Sequence, residues 1–196
     1  LYIATPGVAL SSFVVSTDPA LLACLTLALW AYVALRDARP GGARLAAAAG
    51  FGAALGLGFL AKYAVLYALI GVAAHLALSR DARRPWSLAA AVAALATFGL
   101  FAAPNIAWNA THGFATVAHT ASNAHWSADK LFNPLAFATF VGEQFGVFGP
   151  VPFAVLAGGG AWLAWRRRLT AADTLLLAFA VPPLTIVAAQ ALISRA

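Results

Sequence analysis

Apolar residues run along this chain in long blocks, and short polar breaks separate them. A helix needs about 20 predominantly apolar residues to cross a bilayer, and it satisfies its own backbone while doing so. The pattern therefore predicts an all-α polytopic membrane protein with about six complete transmembrane helices plus one partial. The partial span is residues 1–15, roughly 22 Å of helix against the ~30 Å that a bilayer core requires. The chain is accordingly expected to begin inside a helix and to be an internal fragment of a longer protein. Ser16-Thr17-Asp18-Pro19 reads as a tight turn, with Pro19 suited to a first helical position. Complete spans are predicted at residues 19–35, 45–61, 63–79, 86–106, 145–165 and 172–193. Pro40-Gly41-Gly42 and Pro85 mark breaks, and Lys62 falls in the hairpin between the second and third complete spans. Gly52, Gly56 and nearby Gly58 place small residues where two helices can approach closely. Pro104 is expected to kink the end of its span, and Pro182-Pro183 interrupt the last one. Residues 108–133 are too polar to cross a membrane and read as a structured outer-face loop with short helices. Residues 134–144, apolar around Glu143, read as an interfacial helix.

Charge orients these spans. Nine of the twelve Lys and Arg residues form three clusters, Arg36/Arg39/Arg44, Arg80/Arg83/Arg84 and Arg166/Arg167/Arg168. Alternating spans put all three on one side, which the retention of basic residues in cytoplasmic loops identifies as the inside. Lys62, Lys130 and Arg195 remain outside, together with Asp18 and the 108–133 loop. Only 9% of the 196 residues are charged and 63% are hydrophobic, against about 25% charged in soluble domains. A net charge of +6 and a pI near 10.3 invite a nucleic-acid reading. The basic residues sit in short loops that topology already explains and are not interleaved with stacking aromatics, so no nucleic acid is expected as a partner. The lone Cys24 excludes a disulfide framework and a cysteine metal pair.

The residues able to do chemistry collect on the outer side. Asp18 is either a helix N-cap or a carboxylate facing an outer site. Lys62 is either an interfacial lysine beside an aromatic anchor or a cation for a lipid-linked phosphate. Asn105, Trp108, Asn109 and His112 combine amide, indole and imidazole, which supply hydrogen bonds to hydroxyls and a flat face for a sugar ring. The same set also fits an aromatic belt at a helix end. His112, His119, His125 and Asp129 match no standard zinc spacing, and no metal site is assigned. Glu143 is either a general acid or base or an interfacial charge. Walker-type glycine loops, Gly-x-Ser-x-Gly and His-Glu-x-x-His motifs are absent from the sequence.

Four stretches, in order, resemble the family 39 integral-membrane glycosyltransferases, the protein mannosyltransferase-like and aminoarabinose transferase-like group with the GT-C fold. They are Ser16-Thr17-Asp18-Pro19-Ala20-Leu21-Leu22, Gly56 through Tyr63, Pro104 through Asn109 with His112-Gly113-Phe114, and Gly142-Glu143-Gln144-Phe145-Gly146 with Gly149-Pro150. The resemblance covers essentially the whole chain, residues 1–196, as one part of a GT-C-type transmembrane domain. It implies a hexosyl- or pentosyltransferase in the plasma (inner) membrane with an extracytoplasmic active face. The sugar would move from a polyprenyl-phosphate donor to a lipid, glycan or protein acceptor. It implies a catalytic role for Asp18 and substrate contacts for Lys62, Tyr63, Asn105, Trp108, Asn109, His112, Glu143 and Gln144. No cofactor is assigned beyond the polyprenyl-phosphate sugar as co-substrate, and dependence on a divalent metal stays open. In the family an acidic general base lies in an outer loop that would precede Leu1, so this stretch alone is expected to be inactive. Two other classes fit the same spans, a flippase or transporter of a lipid-linked sugar and a non-catalytic membrane subunit. Polar groups gathered at one surface, rather than at mid-membrane, favour the enzyme.

Overall fold

The computed structural model describes Pro6 and residues 16–122, 133–166 and 169–193, and every regular element in them is a helix. The protein is an all-α, multi-pass membrane protein. Four helices are long and apolar enough to cross a membrane. These are α1 (Asp18–Asp37), α2 (Gly42–Ala61), α5 (Leu88–Thr111) and α9 (Ala171–Ile193). Between α2 and α5 come a 3-10 turn (Tyr63–Leu66), α3 (Tyr67–Leu78) and the single turn α4 (Arg80–Arg83). Then follow α6 (Ala115–Ser122), α7 (Pro134–Phe148) and α8 (Pro150–Arg166). Two compact units divide the chain, Thr17–Thr116 and a second made of Leu1–Ser16 with Val117–Ala196.

The predicted spans 19–35, 45–61, 86–106 and 172–193 correspond to the four long helices. Three other boundaries differ. The span predicted at 63–79 begins as a 3-10 turn, so the turn and α3 together reach roughly 26 Å, shorter than a ~30 Å hydrocarbon core. The predicted break between residues 144 and 145 is not there. α7 continues to Phe148, and the chain turns at Gly149 (φ 80°), with α8 leaving at 117° to α7. Gly149 reaches that left-handed φ without a Cβ clash, and Pro150 can open a helix where its missing N–H costs nothing. The predicted span 145–165 thus straddles the bend, taking the last residues of α7 and most of α8, a pair that passes as a single crossing only when the two helices are taken together. Nor does the outer loop begin at residue 108. α5 runs through Pro104 to Thr111, and α6 occupies part of the expected loop. The predicted span 1–15 lies outside the described residues apart from Pro6, and so do residues 123–132.

In the first unit α2 packs between α1 and α5. Its glycines fix how closely. A Cβ at Gly52 would collide with the Ala94 carbonyl and Thr97 Oγ1 of α5, and one at Gly56 would lie 2.7 Å from Phe101 Cβ. At Gly58 it would meet Val65 Cγ2 at 2.6 Å and Cys24 Cβ of α1 at 3.0 Å. Thr97 Oγ1 donates to the Ala49 carbonyl of α2 at 2.9 Å, a contact that only backbone proximity permits. Beneath this seam Tyr32, Leu35, Phe51, Leu55, Val65 and His75 are buried. The Tyr32 hydroxyl and His75 Nδ1 are 2.8 Å apart, which satisfies two polar groups inside an apolar cluster completed by Phe51 and Trp86.

In the second unit Asn133 anchors α7. Its side-chain oxygen accepts from Ala136 N at 3.0 Å, and its own N–H donates to the Leu192 carbonyl of α9 at 2.8 Å. α7 packs on both α8 and α9.

Gly52→Ala should therefore cost about 1–3 kcal/mol, since the clash is with backbone rather than with a movable side chain. Gly99→Ala, on the same α5 seam helix but in open space, should be neutral or gain up to about 1 kcal/mol of helix propensity. Thermal unfolding of the two variants in one detergent checks the difference. Equal melting temperatures would mean that the α2–α5 approach is not fixed at Gly52.

Candidate functional site

The end of the first unit where α1 starts and α2 stops gathers most of the predicted site residues. Thr17 holds the N-cap position of α1, and Asp18 is its first helical residue, followed by Pro19. α2 ends at Ala61. Lys62 then adopts an extended backbone (φ −163°, ψ 134°) while its N–H still bonds the Gly58 carbonyl at 2.8 Å. This single extended residue turns the chain into the 3-10 segment. Lys62 Nζ meets Asp18 Oδ1 at 2.7 Å, and the two side chains are 50% and 46% exposed. The ammonium has three donors. Among the described residues its side chain bonds Asp18 alone, so two donors face outward.

The next residue, Tyr63, stacks on Phe59 with ring centroids 4.6 Å apart and donates its hydroxyl to Asn105 Oδ1 at 2.8 Å. Asn109 lies one helical turn beyond Asn105, so both amides share a face of α5. Its Nδ2 donates to the Asn105 carbonyl (3.0 Å), to Asn105 Oδ1 (3.2 Å) and to the Tyr63 hydroxyl (3.3 Å). Its Oδ1 accepts from Thr116 N at 3.1 Å. Asn109 is 2% exposed, so this amide ties together the 3-10 turn, α5 and the start of α6. α5 closes through a turn at His112, Gly113 (φ 61°) and Phe114 (φ 56°), and Phe114 N bonds the Asn109 carbonyl at 2.8 Å.

On the same turn, His112 stacks on Trp108, centroids 4.3 Å apart and planes 11° from parallel. Its Nδ1 lies 2.8 Å from the Trp108 carbonyl. A carbonyl only accepts, so this contact is a hydrogen bond when Nδ1 carries a proton, and Nε2 is left for another partner. Trp108 is 47% exposed and retains an open ring face.

Glu143 and Gln144 belong to the second unit. Glu143 is exposed and lines a cavity of about 270 Å³ with Thr139, Phe140 and Gln190 between α7 and α9. Gln144 donates instead to the Phe140 carbonyl of its own helix at 3.1 Å. His119 lies on α6, whereas His125, Asp129, Lys130, Ser194 and Arg195 fall outside the described residues. Among the described residues no group of three or more His, Cys, Asp and Glu is arranged to hold a metal ion.

The structure thus joins Asp18 to Lys62 and Tyr63 to Asn105 and Asn109, and links the two sets through the adjacent Lys62 and Tyr63. Sequence reasoning named all five residues but not their pairings, which couple positions 42–46 residues apart. It missed His75 altogether. An imidazole within an apolar span was the available signal.

No family model matches the chain, and no solved structure does. Among curated proteins, the chain is 38% identical over 201 residues to the lipid A galacturonosyltransferase RgtD of Rhizobium johnstonii. The alignment takes in the whole chain and 40% of that protein, so the chain spans well under half the length of this relative.

The geometry separates two kinds of residue by stability. An ion pair half exposed to solvent contributes about 0–1 kcal/mol, so Lys62→Ala and Asp18→Asn should unfold within that margin of wild type. Asn109→Ala removes a buried amide and strands the partners it satisfied, which should cost about 1–3 kcal/mol. Denaturation followed by tryptophan fluorescence reads both. Asn109→Ala unfolding with the ion-pair variants would show that the buried amide network does not hold the turn.

Proposed function

We propose that this chain is a transmembrane part of a membrane glycosyltransferase, one that moves a sugar from a polyprenyl-phosphate donor to a lipid acceptor on the face opposite the arginine clusters. The observation that carries the proposal is the Asp18–Lys62 pair beside the Tyr63–Asn105–Asn109 cluster, in a chain that aligns along its whole length with a protein named for glycosyl transfer to lipid A. The relative's name supports a lipid acceptor. The donor class, the outer face and the likeness to family 39 enzymes rest on the sequence motifs and on the segregation of charge.

In this reading Lys62 is the cation at the leaving group. A base removes the proton of the acceptor hydroxyl, the oxygen attacks the anomeric carbon, and the carbon–oxygen bond to the lipid phosphate breaks with inversion. The departing phosphate takes up the negative charge, and the two outward Lys62 donors stabilise it where it develops. Asp18 holds the ammonium in place through the third. Trp108 offers its open face to the sugar ring and His112 its Nε2 to a hydroxyl. Tyr63, Asn105 and Asn109 position Lys62 by fixing the 3-10 turn against α5. The base is not assigned to any of these residues.

Transfer is measured with the full gene product in bilayers, using radiolabelled polyprenyl-phosphate galacturonic acid and lipid A. Lys62→Ala should lower turnover by about 10²–10³-fold, the usual loss for one electrostatic donor at a developing oxyanion, with the amount of inserted protein unchanged. Wild-type turnover in Lys62→Ala would remove the phosphate role. Label that crosses the bilayer still attached to its carrier would make the protein a transporter.

A further inference from the structure

At the other end of the first unit, one α1 length or roughly 28 Å from Asp18, lies a polar cavity of about 350 Å³. It is lined by Arg36, Asp37, Arg44, Asp81, Arg84 and Pro85. Three guanidinium groups face two carboxylates there, so the lining carries a net charge of +1. One pairing is made, Arg84 Nη1 to Asp81 Oδ1 at 3.2 Å, between side chains that are mostly exposed. Arg44 donates Nη2 to the Ala38 carbonyl at 3.0 Å, but its Nε is buried without an acceptor. Arg36 has no hydrogen bond or ion pair among the described residues. Topology alone places arginines in these loops. It does not require three of them to converge on one hollow with their charge incompletely matched.

Pro85 lines this cavity, and the next residue, Trp86, lines a second hollow of about 310 Å³. That hollow is almost wholly apolar and lies between α2, α3 and α5, against Leu55, Leu76, Leu95 and Phe98. It follows α5 from Ala91 to Phe98, roughly 10 Å along the helix axis. Two consecutive residues, Pro85 and Trp86, thus line a polar, cationic chamber at a helix end and an apolar groove along α5.

We propose that the two hollows together hold one anionic phospholipid from the leaflet at the arginine end, its phosphate among Arg36, Arg44 and Arg84 and an acyl chain in the groove. The guanidinium fork matches phosphate geometry, and the single net positive charge matches a singly anionic headgroup. Basic pockets between transmembrane helices have this chemistry, and their attraction for anionic lipids is additive over the arginines. A free phosphate ion would use the chamber alone, and an uncharged lipid the groove alone. This site is separate from the one proposed for glycosyl transfer and does not depend on it.

The test reads lipid retained by the full gene product after extraction from nanodiscs of equal phosphatidylglycerol and phosphatidylcholine, by mass spectrometry. Wild type should retain phosphatidylglycerol preferentially. The double variant Arg36→Gln/Arg44→Gln should lower that preference about 30-fold, while Arg44→Lys keeps most of it. Leu95→Trp, at a position 70% exposed, should fill the groove and reduce retention without unfolding the protein. Equal retention of the two lipids by wild type, or an unchanged preference in the double variant, would overturn the proposal. Displacement by millimolar glycerol phosphate, with Leu95→Trp behaving as wild type, would reduce the site to an anion pocket and overturn the acyl part.

Discussion

The first unit depends on one constraint, the approach of α2 to its neighbours at positions where no side chain fits. Within a bilayer, apolar side chains gain little by leaving lipid for protein, so helix association rests on close van der Waals contact and on small residues that permit it. Gly52 and Gly56 bring α2 against the backbone of α5, and Gly58 brings it against α1 and the 3-10 turn. These contacts set the register. Lys62 follows Gly58 by four residues and bonds its carbonyl, and Asn105 follows Phe101, the residue lying over Gly56, by the same interval. A slip of one residue along the seam would rotate each helix by about 100° and separate Lys62 from Asp18 and Tyr63 from Asn105 together.

Polarity is distributed according to what the surrounding medium tolerates. Within the helix packing, the Tyr32–His75 pair is hydrogen-bonded and shielded by aromatic rings, because an unsatisfied polar group in an apolar cluster costs several kcal/mol. At the Lys62 end the charges are balanced one against one and half exposed, so neither carries a large desolvation penalty and the ammonium keeps donors for an incoming anion. At the arginine end the balance is deliberately uneven in sign, three cations to two anions. The same helices thus present a neutral, ligand-accessible pair on one side and a cationic chamber on the other.

Much of this was legible in the sequence because bilayer thickness is a hard ruler. Apolar blocks near 20 residues became α1, α2, α5 and α9, and the Gly52/Gly56/Gly58 spacing became the seam. Boundaries were harder where two signals competed. Polar residues from Trp108 onward suggested a loop, yet Asn109 bonds back to Asn105 and Tyr63, and that satisfied amide lets α5 continue to Thr111. Glu143 suggested a helix end near Gln144, but a single carboxylate on an exposed face does not stop a helix, whereas Gly149-Pro150 does. His75 was hidden by its neighbours: a period-based reading averages one imidazole into an apolar block, and only Tyr32, 43 residues away, accounts for it. Pairings over such separations leave no local trace in one sequence.

The candidate chemistry follows the same logic of separated roles. Lys62 and Trp108 are exposed and can meet a ligand, while Asn109 is closed to it and can act only by holding others. Selection for transfer would therefore bear directly on Lys62, with little consequence for folding, and indirectly on Asn109, through the shape of the turn. Similarity to RgtD along the whole chain covers both kinds of residue, but it covers only 40% of that protein. Whatever base acts on the acceptor need not lie on the helices that carry the cation. In this arrangement the glycine seam supplies rigid placement and Lys62 supplies charge. Both are set within Thr17–Thr116, so the placement of Lys62 is fixed by contacts internal to that unit.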